Sequence, residues 1–102
     1  MSKIYTGYED GLICVWDHEG GMEAPLVGHV HRINAFDAVA DLVVVSCSND
    51  CTIRKWDTQQ HICTTIIKFD SPISNAVYQS KSNMLHVCTW DKYIRAVDMA
   101  SN

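Results

Sequence analysis

The sequence predicts an all-β fold built from one repeated supersecondary unit, and three observations predict it. The chain resembles itself at a fixed offset: Thr6–Asp17 reads TGYEDGLICVWD, Ser46–Asp57 reads SCSNDCTIRKWD, and Val87–Asp98 reads VCTWDKYIRAVD, at offsets of 40 and then 41 residues. Its apolar runs have strand length and are rich in β-branched and aromatic residues. No segment has the length or the 3.6-residue periodicity of a long helix.

Each element follows from local chemistry. In the second copy Leu42-Val43-Val44-Val45 is a continuous apolar run, the pattern of a strand covered on both faces. Asn49-Asp50-Cys51 is a tight turn, because Asn and Asp tolerate turn dihedrals and bond their own backbone. Asp10-Gly11 in the first copy is a stronger hairpin signal still. Thr52 to Trp56 returns as the partner strand. Another short strand precedes each hairpin, around Ile33–Phe36 and Ile73–Tyr78, and one follows at Ile62–Ile67.

Composition excludes several classes of function. The chain has 102 residues, 47% hydrophobic and 20% charged, which fits a single globular unit and not a disordered segment. A formal charge of −4 favours neither nucleic acid nor anionic membrane. The eight basic residues (Lys3, Arg32, Arg54, Lys55, Lys68, Lys81, Lys92, Arg95) are scattered, where a nucleic-acid footprint would cluster them. No apolar stretch is long enough for a membrane span, and the N-terminal residues lack the apolar core of a signal peptide. Five cysteines without framework spacing fit reduced thiols, so a cytoplasmic or nuclear location is expected.

The residues that coincide between copies carry a family resemblance. Asp10, Asp50 and Asp91 align, as do Ile13, Ile53 and Ile94, and Asp17, Asp57 and Asp98. Trp-Asp pairs stand at 16–17 and 56–57, and Gly28-His29 precedes Trp56, with His29 27 residues before it. Over roughly residues 3–98 the chain resembles the WD-repeat family. The resemblance implies a partial β-propeller of four-stranded antiparallel blades. On that reading 3–27 supply the last three strands of one blade, 28–67 a complete blade, and 68–98 the first three strands of another, about ten strands in all. Pro25 falls on an outermost strand, where proline is tolerated. Neither end reads as a cap, so further blades from the same longer chain or from other chains are expected.

The same resemblance assigns a structural network. His29, Ser46 and Asp50 have the composition of a hydrolytic triad, yet in WD-repeat proteins the matching positions join the strand tryptophan, here Trp56. Ser46 lies inside an apolar strand without the strained glycine elbow a nucleophile needs. The first copy keeps Thr6, Asp10 and Trp16. The third keeps Asp91, while Val87, Val97 and Phe69-Asp70 replace the serine, the tryptophan and Gly-His. No catalytic residue and no cofactor is expected. Cys47, Cys51, His61 and Cys63 suggest zinc by type. Cys51 and His61, however, sit beyond opposite ends of one strand, on the order of 20 Å apart at ~3.3 Å per residue, so no metal site is expected.

The implied function is a protein-interaction scaffold or adaptor that presents a rigid face to proteins or peptides. A structural subunit with lateral contacts is the alternative. Partners of the family meet the face bearing the turn and the Gly-His loop. Glu9, Asn49 and Trp90 precede the turn aspartates, His31 and Arg32 follow Gly-His, and Ser71 and Ile73 occupy the next blade's loop. Arg54 and Arg95 align inside strands as packing residues. Trp90 has two readings: a binding hot spot, or an indole folded over the third blade to replace the tryptophan missing at Val97.

Overall fold

The computed structural model describes residues 3–17, 19–40 and 42–99. Among the described residues nine strands form three antiparallel sheets: β1 (Ile4–Gly7) with β2 (Ile13–Trp16); β3 (Ile33–Ala40), β4 (Val43–Ser48), β5 (Thr52–Asp57) and β6 (Ile62–Lys68) in that order; and β7 (Ile73–Gln79), β8 (Met84–Thr89) and β9 (Ile94–Asp98). About ten strands are expected from sequence. The difference is the Pro25-bearing segment, which pairs with β2 only through isolated bridges at Ile13↔Leu26 and Trp16↔Met22. Proline supplies no N–H to a ladder, and the flanking Glu23 and Leu26 amides make the bonds, to Val15 and Ile13.

The hairpin turns at the three repeated Asp positions, β1–β2, β4–β5 and β8–β9, share one conformation. Gly11, Cys51 and Lys92 are left-handed, with φ of 92°, 70° and 69°. Their amides reach back to the carbonyls of Tyr8, Ser48 and Thr89. Glycine takes this conformation freely, whereas cysteine and lysine take it at a cost. The repeat is thus one of backbone geometry even where the turn residues differ.

The four-stranded sheet is buried from both sides, because successive side chains of a strand point to opposite faces. Val44 and Trp56 pack with Ile13, Val15 and Leu26 of the first sheet. Val45, Cys47 and Ile53 pack with Ile73, Ala76, Leu85 and Val87 of the third. Polar ties cross the second seam: the Asn34 side-chain amide donates to Ile73 O at 2.8 Å, and Asp37 accepts from the Tyr78 amide at 2.8 Å. Across the first seam, Lys3 and His61 of the β5–β6 turn both reach Glu23 Oε1, at 3.1 and 3.2 Å.

The outer sheets are covered on one face only. Ile4 on the first sheet is 59% exposed, and on the third Val77 is 51% and Ile94 74% exposed. Such faces associate in water. The purified 102-residue chain is therefore expected to scatter light as oligomers whose mass rises with concentration. A folded, cooperative monomer would contradict this account of the two faces.

Candidate functional site

The most densely hydrogen-bonded side chains lie where the Gly28-His29 loop meets the β4–β5 hairpin. Loop and hairpin bring His29 between an aspartate of the turn and a serine of β4. His29 Nδ1 is 2.8 Å from Asp50 Oδ2, His29 Nε2 is 2.6 Å from Ser46 Oγ, and Trp56 Nε1 donates to Ser46 Oγ at 2.8 Å. An ionised carboxylate only accepts, so Nδ1 carries the imidazole proton. Nε2 then accepts from the serine hydroxyl, whose oxygen accepts from the indole. Proton directions run one way from Trp56 and Ser46 to His29 and Asp50. Every donor is used.

Thr52 joins this network and was not singled out in the sequence. Its hydroxyl donates to Asp50 Oδ1 at 2.5 Å and stands 3.1 Å from His29 Nδ1. The Thr52 and Val30 amides add bonds to the two oxygens of Asp50. A hydroxyl placed two residues after the turn aspartate was the available signal. Burial alone raises the Asp50 pKa, but bonds from Thr52, His29 and Val30 outweigh it and hold the carboxyl below its ordinary value. Burial is the largest influence on His29 and keeps the ring neutral, its pKa lowered despite the neighbouring carboxylate. Burial pushes the thiol of Cys47, next to Ser46 in β4, up to about 12.

The other copies hold different parts of the network. In the first, Trp16 Nε1 donates to Thr6 Oγ1 at 2.9 Å, while Asp10 accepts from the Leu12 amide at 3.1 Å and remains exposed. In the third, Asp91 accepts from Thr89 Oγ1, and Arg95 reaches both Thr89 Oγ1 at 3.0 Å and Asp91 Oδ2 at 3.5 Å. The Thr89 hydroxyl is the chief cause of the lowered Asp91 pKa. Arg95 also lies 6.0 Å from the Phe69 ring centroid and 5.6 Å from that of Tyr93.

A compensating exchange explains why the third copy dispenses with tryptophan. A Cβ at Gly28 would stand 3.0 Å from Trp56 Cη2 and 2.8 Å from Arg54 Nη1, so positions 28 and 56 face one another and the large indole requires a glycine. Forty-one residues on, the pair is Phe69 and Val97, both packed against the same core cluster. Bulk has moved from the strand to the loop. Phe69 is half-buried against this cluster, and Trp90 stays 59% exposed.

The candidate partner residues divide. Glu9, His31, Arg32 and Trp90 are exposed at the turn end. Backbone bonds from Asn49 to Arg32 O (3.0 Å) and from Trp90 to Pro72 O (2.9 Å) seat these turns on their preceding loops. Asn49 is half-buried and accepts from the Asn34 amide at 2.7 Å. Two expectations are corrected. Ile73 is fully buried in the core between the second and third sheets, and Ser71 is buried in the loop before it. Strand β7 begins at Ile73 with its first side chain pointing inward, so neither residue offers surface.

Stacked antiparallel sheets tied loop-to-hairpin by a buried His–Ser–Trp–Asp network define a stretch of β-propeller. Residues 22–57 match the family model described as WD domain, G-beta repeat. The propeller domain of Cps50 (Swd1) from Myceliophteria thermophila superposes with a TM-score of 0.85 at 20% identity, over 95% of this chain and 32% of that one. Ribosome biogenesis protein YTM1 of Candida glabrata is 32% identical over 56 residues, 55% of this chain and 12% of that protein. Nuclear distribution protein nudF 1 of Talaromyces marneffei is 26% identical over 107 residues, 99% of this chain and 23% of that protein. The chain thus has the fold of a stretch of β-propeller and carries a WD repeat over residues 22–57, and it spans less than a third of each of these three proteins.

Three outcomes are expected. Trp56→Phe or His29→Ala leaves buried partners unpaired and lowers stability by about 1–3 kcal/mol, measured by thermal or denaturant unfolding. Stability falls as pH drops below the ordinary histidine value of 6.5, because the unfolded chain binds a proton that the buried His29 refuses. It falls again below 3.8 as Asp50 protonates in the unfolded chain before the folded one. A chain carrying His29→Ala loses the first phase of that titration. Finally, Val97→Trp costs about 1–3 kcal/mol by overpacking and Phe69→Gly about 2 kcal/mol by cavity formation. The double substitution recovers part of both, and strictly additive losses in the cycle refute the exchange.

Proposed function

We propose that this chain is part of a protein-interaction scaffold whose turn end meets proteins or peptides, and that it carries out no catalysis. The exposed Trp90 is the observation that carries the reading. An indole left in water while Phe69 does the packing gives folding no return, and tryptophan is enriched among binding hot spots. Arg32, the second hot-spot residue type, stands exposed at the same end with Glu9 and His31.

The chemistry of Ser46 supports the absence of catalysis. Its hydroxyl is 1% exposed and spans His29 and Trp56, out of reach of a substrate. Partners are proposed to be proteins and not nucleic acid, given the net charge of −4 and scattered basic residues. A cytoplasmic or nuclear site agrees with five cysteines that are all free thiols.

A second reading rests on the bare faces at Ile4 and at Val77 and Ile94: the chain serves mainly through lateral contacts with further blades. Alanine substitution at Glu9, Arg32 and Trp90 separates the two in affinity purification. Loss of captured partners, with unfolding behaviour unchanged, supports the turn end as the binding surface. Retention of every partner by the triple variant refutes it in favour of lateral contacts.

A further inference from the structure

Strand β6 is the outer edge of the four-stranded sheet, and no side chain on it is fully buried. The direction of its backbone groups follows from the ladder. In an antiparallel pair, hydrogen-bonded residue pairs alternate with pairs whose N–H and C=O point away from each other. The Phe69 amide bonds Cys51 O at 2.8 Å, which sets the phase, so Ile53–Ile67 and Lys55–Thr65 are the hydrogen-bonded pairs. The intervening Ile66 and Lys68 therefore turn their N–H and C=O outward, away from β5. The outer segment of the first sheet is protected by contrast: Pro25 interrupts it, and it meets β2 only at isolated bridges. On β6 the register slips at Thr64, a bulge that blunts the first half of the edge and leaves residues 65–68 in register.

Cross-strand partners share a face, and so do residues two apart on one strand. Ile66 and Lys68 stand opposite Arg54 and Thr52, so they lie on the face of Trp56, which is turned toward the first sheet. The first sheet covers that face at Trp56 through Ile13, Val15 and Leu26, yet Ile66 stays 46% exposed and Lys68 is exposed. Among the described residues neither Lys68 nor Arg54 has a carboxylate partner, and Arg54 Nε is buried without a hydrogen bond. Asp70 follows two residues after Lys68 and pairs with neither. This corner of the edge is cationic, with one aliphatic side chain beside it.

We propose that residues 65–68 of β6 receive an extended segment of a partner protein as a fifth, antiparallel strand, with a carboxylate side chain opposite Lys68 and a β-branched one opposite Ile66. Ile66 and Lys68 each exchange two main-chain bonds with the incoming strand, and its acidic residue meets the cationic corner. In an antiparallel strand the acidic residue comes two positions before the β-branched one. The site lies on the rim, separate from the turn end, and does not depend on that end binding partners.

The test is fluorescence anisotropy of a labelled Thr-Glu-Thr-Val-Thr peptide titrated with the full chain. Saturable binding is expected. N-methylation of the valine amide, which removes one main-chain bond, is expected to weaken it about tenfold. N-methylation of the threonine between glutamate and valine leaves affinity unchanged, because that amide points away from β6. Lys68→Glu is expected to weaken binding about fivefold, and a Thr-Lys-Thr-Val-Thr peptide to bind that variant more tightly than it binds the parent chain. Ile66→Pro removes an outward N–H without touching the β5 ladder and is expected to abolish binding with the unfolding transition retained. The two N-methyl peptides report on the parent chain alone and decide the matter if that variant does not fold. The Glu9, Arg32 and Trp90 triple alanine variant is expected to bind this peptide unchanged. No saturable binding, equal affinity for the two N-methyl peptides, or indifference to Lys68→Glu overturns the proposal. Loss of light-scattering oligomers in Ile66→Pro, with no peptide bound by the parent chain, assigns the edge to a second copy of this chain and overturns it as well.

Discussion

A dry, neutral imidazole clamped on both sides is the constraint from which the second repeat takes its shape. His29 is useful only while Nδ1 donates to Asp50 and Nε2 accepts from Ser46. That requires the incoming loop, the hairpin turn and β4 to hold their mutual positions to within hydrogen-bond tolerance. Trp56 closes the chain of donors, and its indole also forms the floor of the core shared with the first sheet. Polar order and apolar packing therefore depend on the same side chain. A buried polar network stabilises only when every member is satisfied, and here Thr52 and the Val30 amide complete the carboxylate.

The third sheet shows how much of that arrangement can be exchanged. Removing histidine, serine and tryptophan together avoids stranding any one of them. Arg95, a cation where His29 is neutral, partners the turn aspartate, and Phe69 packs against the core cluster from the loop side. Replacing an entire set of polar partners costs far less than deleting one. The exchange also bears on where Trp90 lies. With Phe69 in the core, the Trp90 indole is left at the surface, beside a loop already held by the bond from Trp90 N to Pro72 O.

Differences between seams follow from differences in side-chain volume at equivalent positions. The first seam carries glycine at 11 and 28, which line a cavity; the second carries Cys51 and Phe69, joined by the bond from Phe69 N to Cys51 O. Repeats of one backbone geometry thus generate unlike surfaces.

The sequence by itself determined the all-β class, the period and the hairpin positions, while the membership of His29, Ser46, Asp50 and Trp56 in one network was implied by the family resemblance. These features are local or periodic: apolar runs, Asp and Gly at turns, and residue types recurring at 40 and 41. Thr52 was missed because a hydroxyl at the start of a strand reads equally well as β-propensity. Ile73 and Ser71 were assigned to the surface by position in the repeat, and only the inward start of β7 showed them buried. Tertiary structure alone showed that the Trp90 indole is exposed while Phe69 packs against the core cluster, since that depends on where loop and turn side chains point.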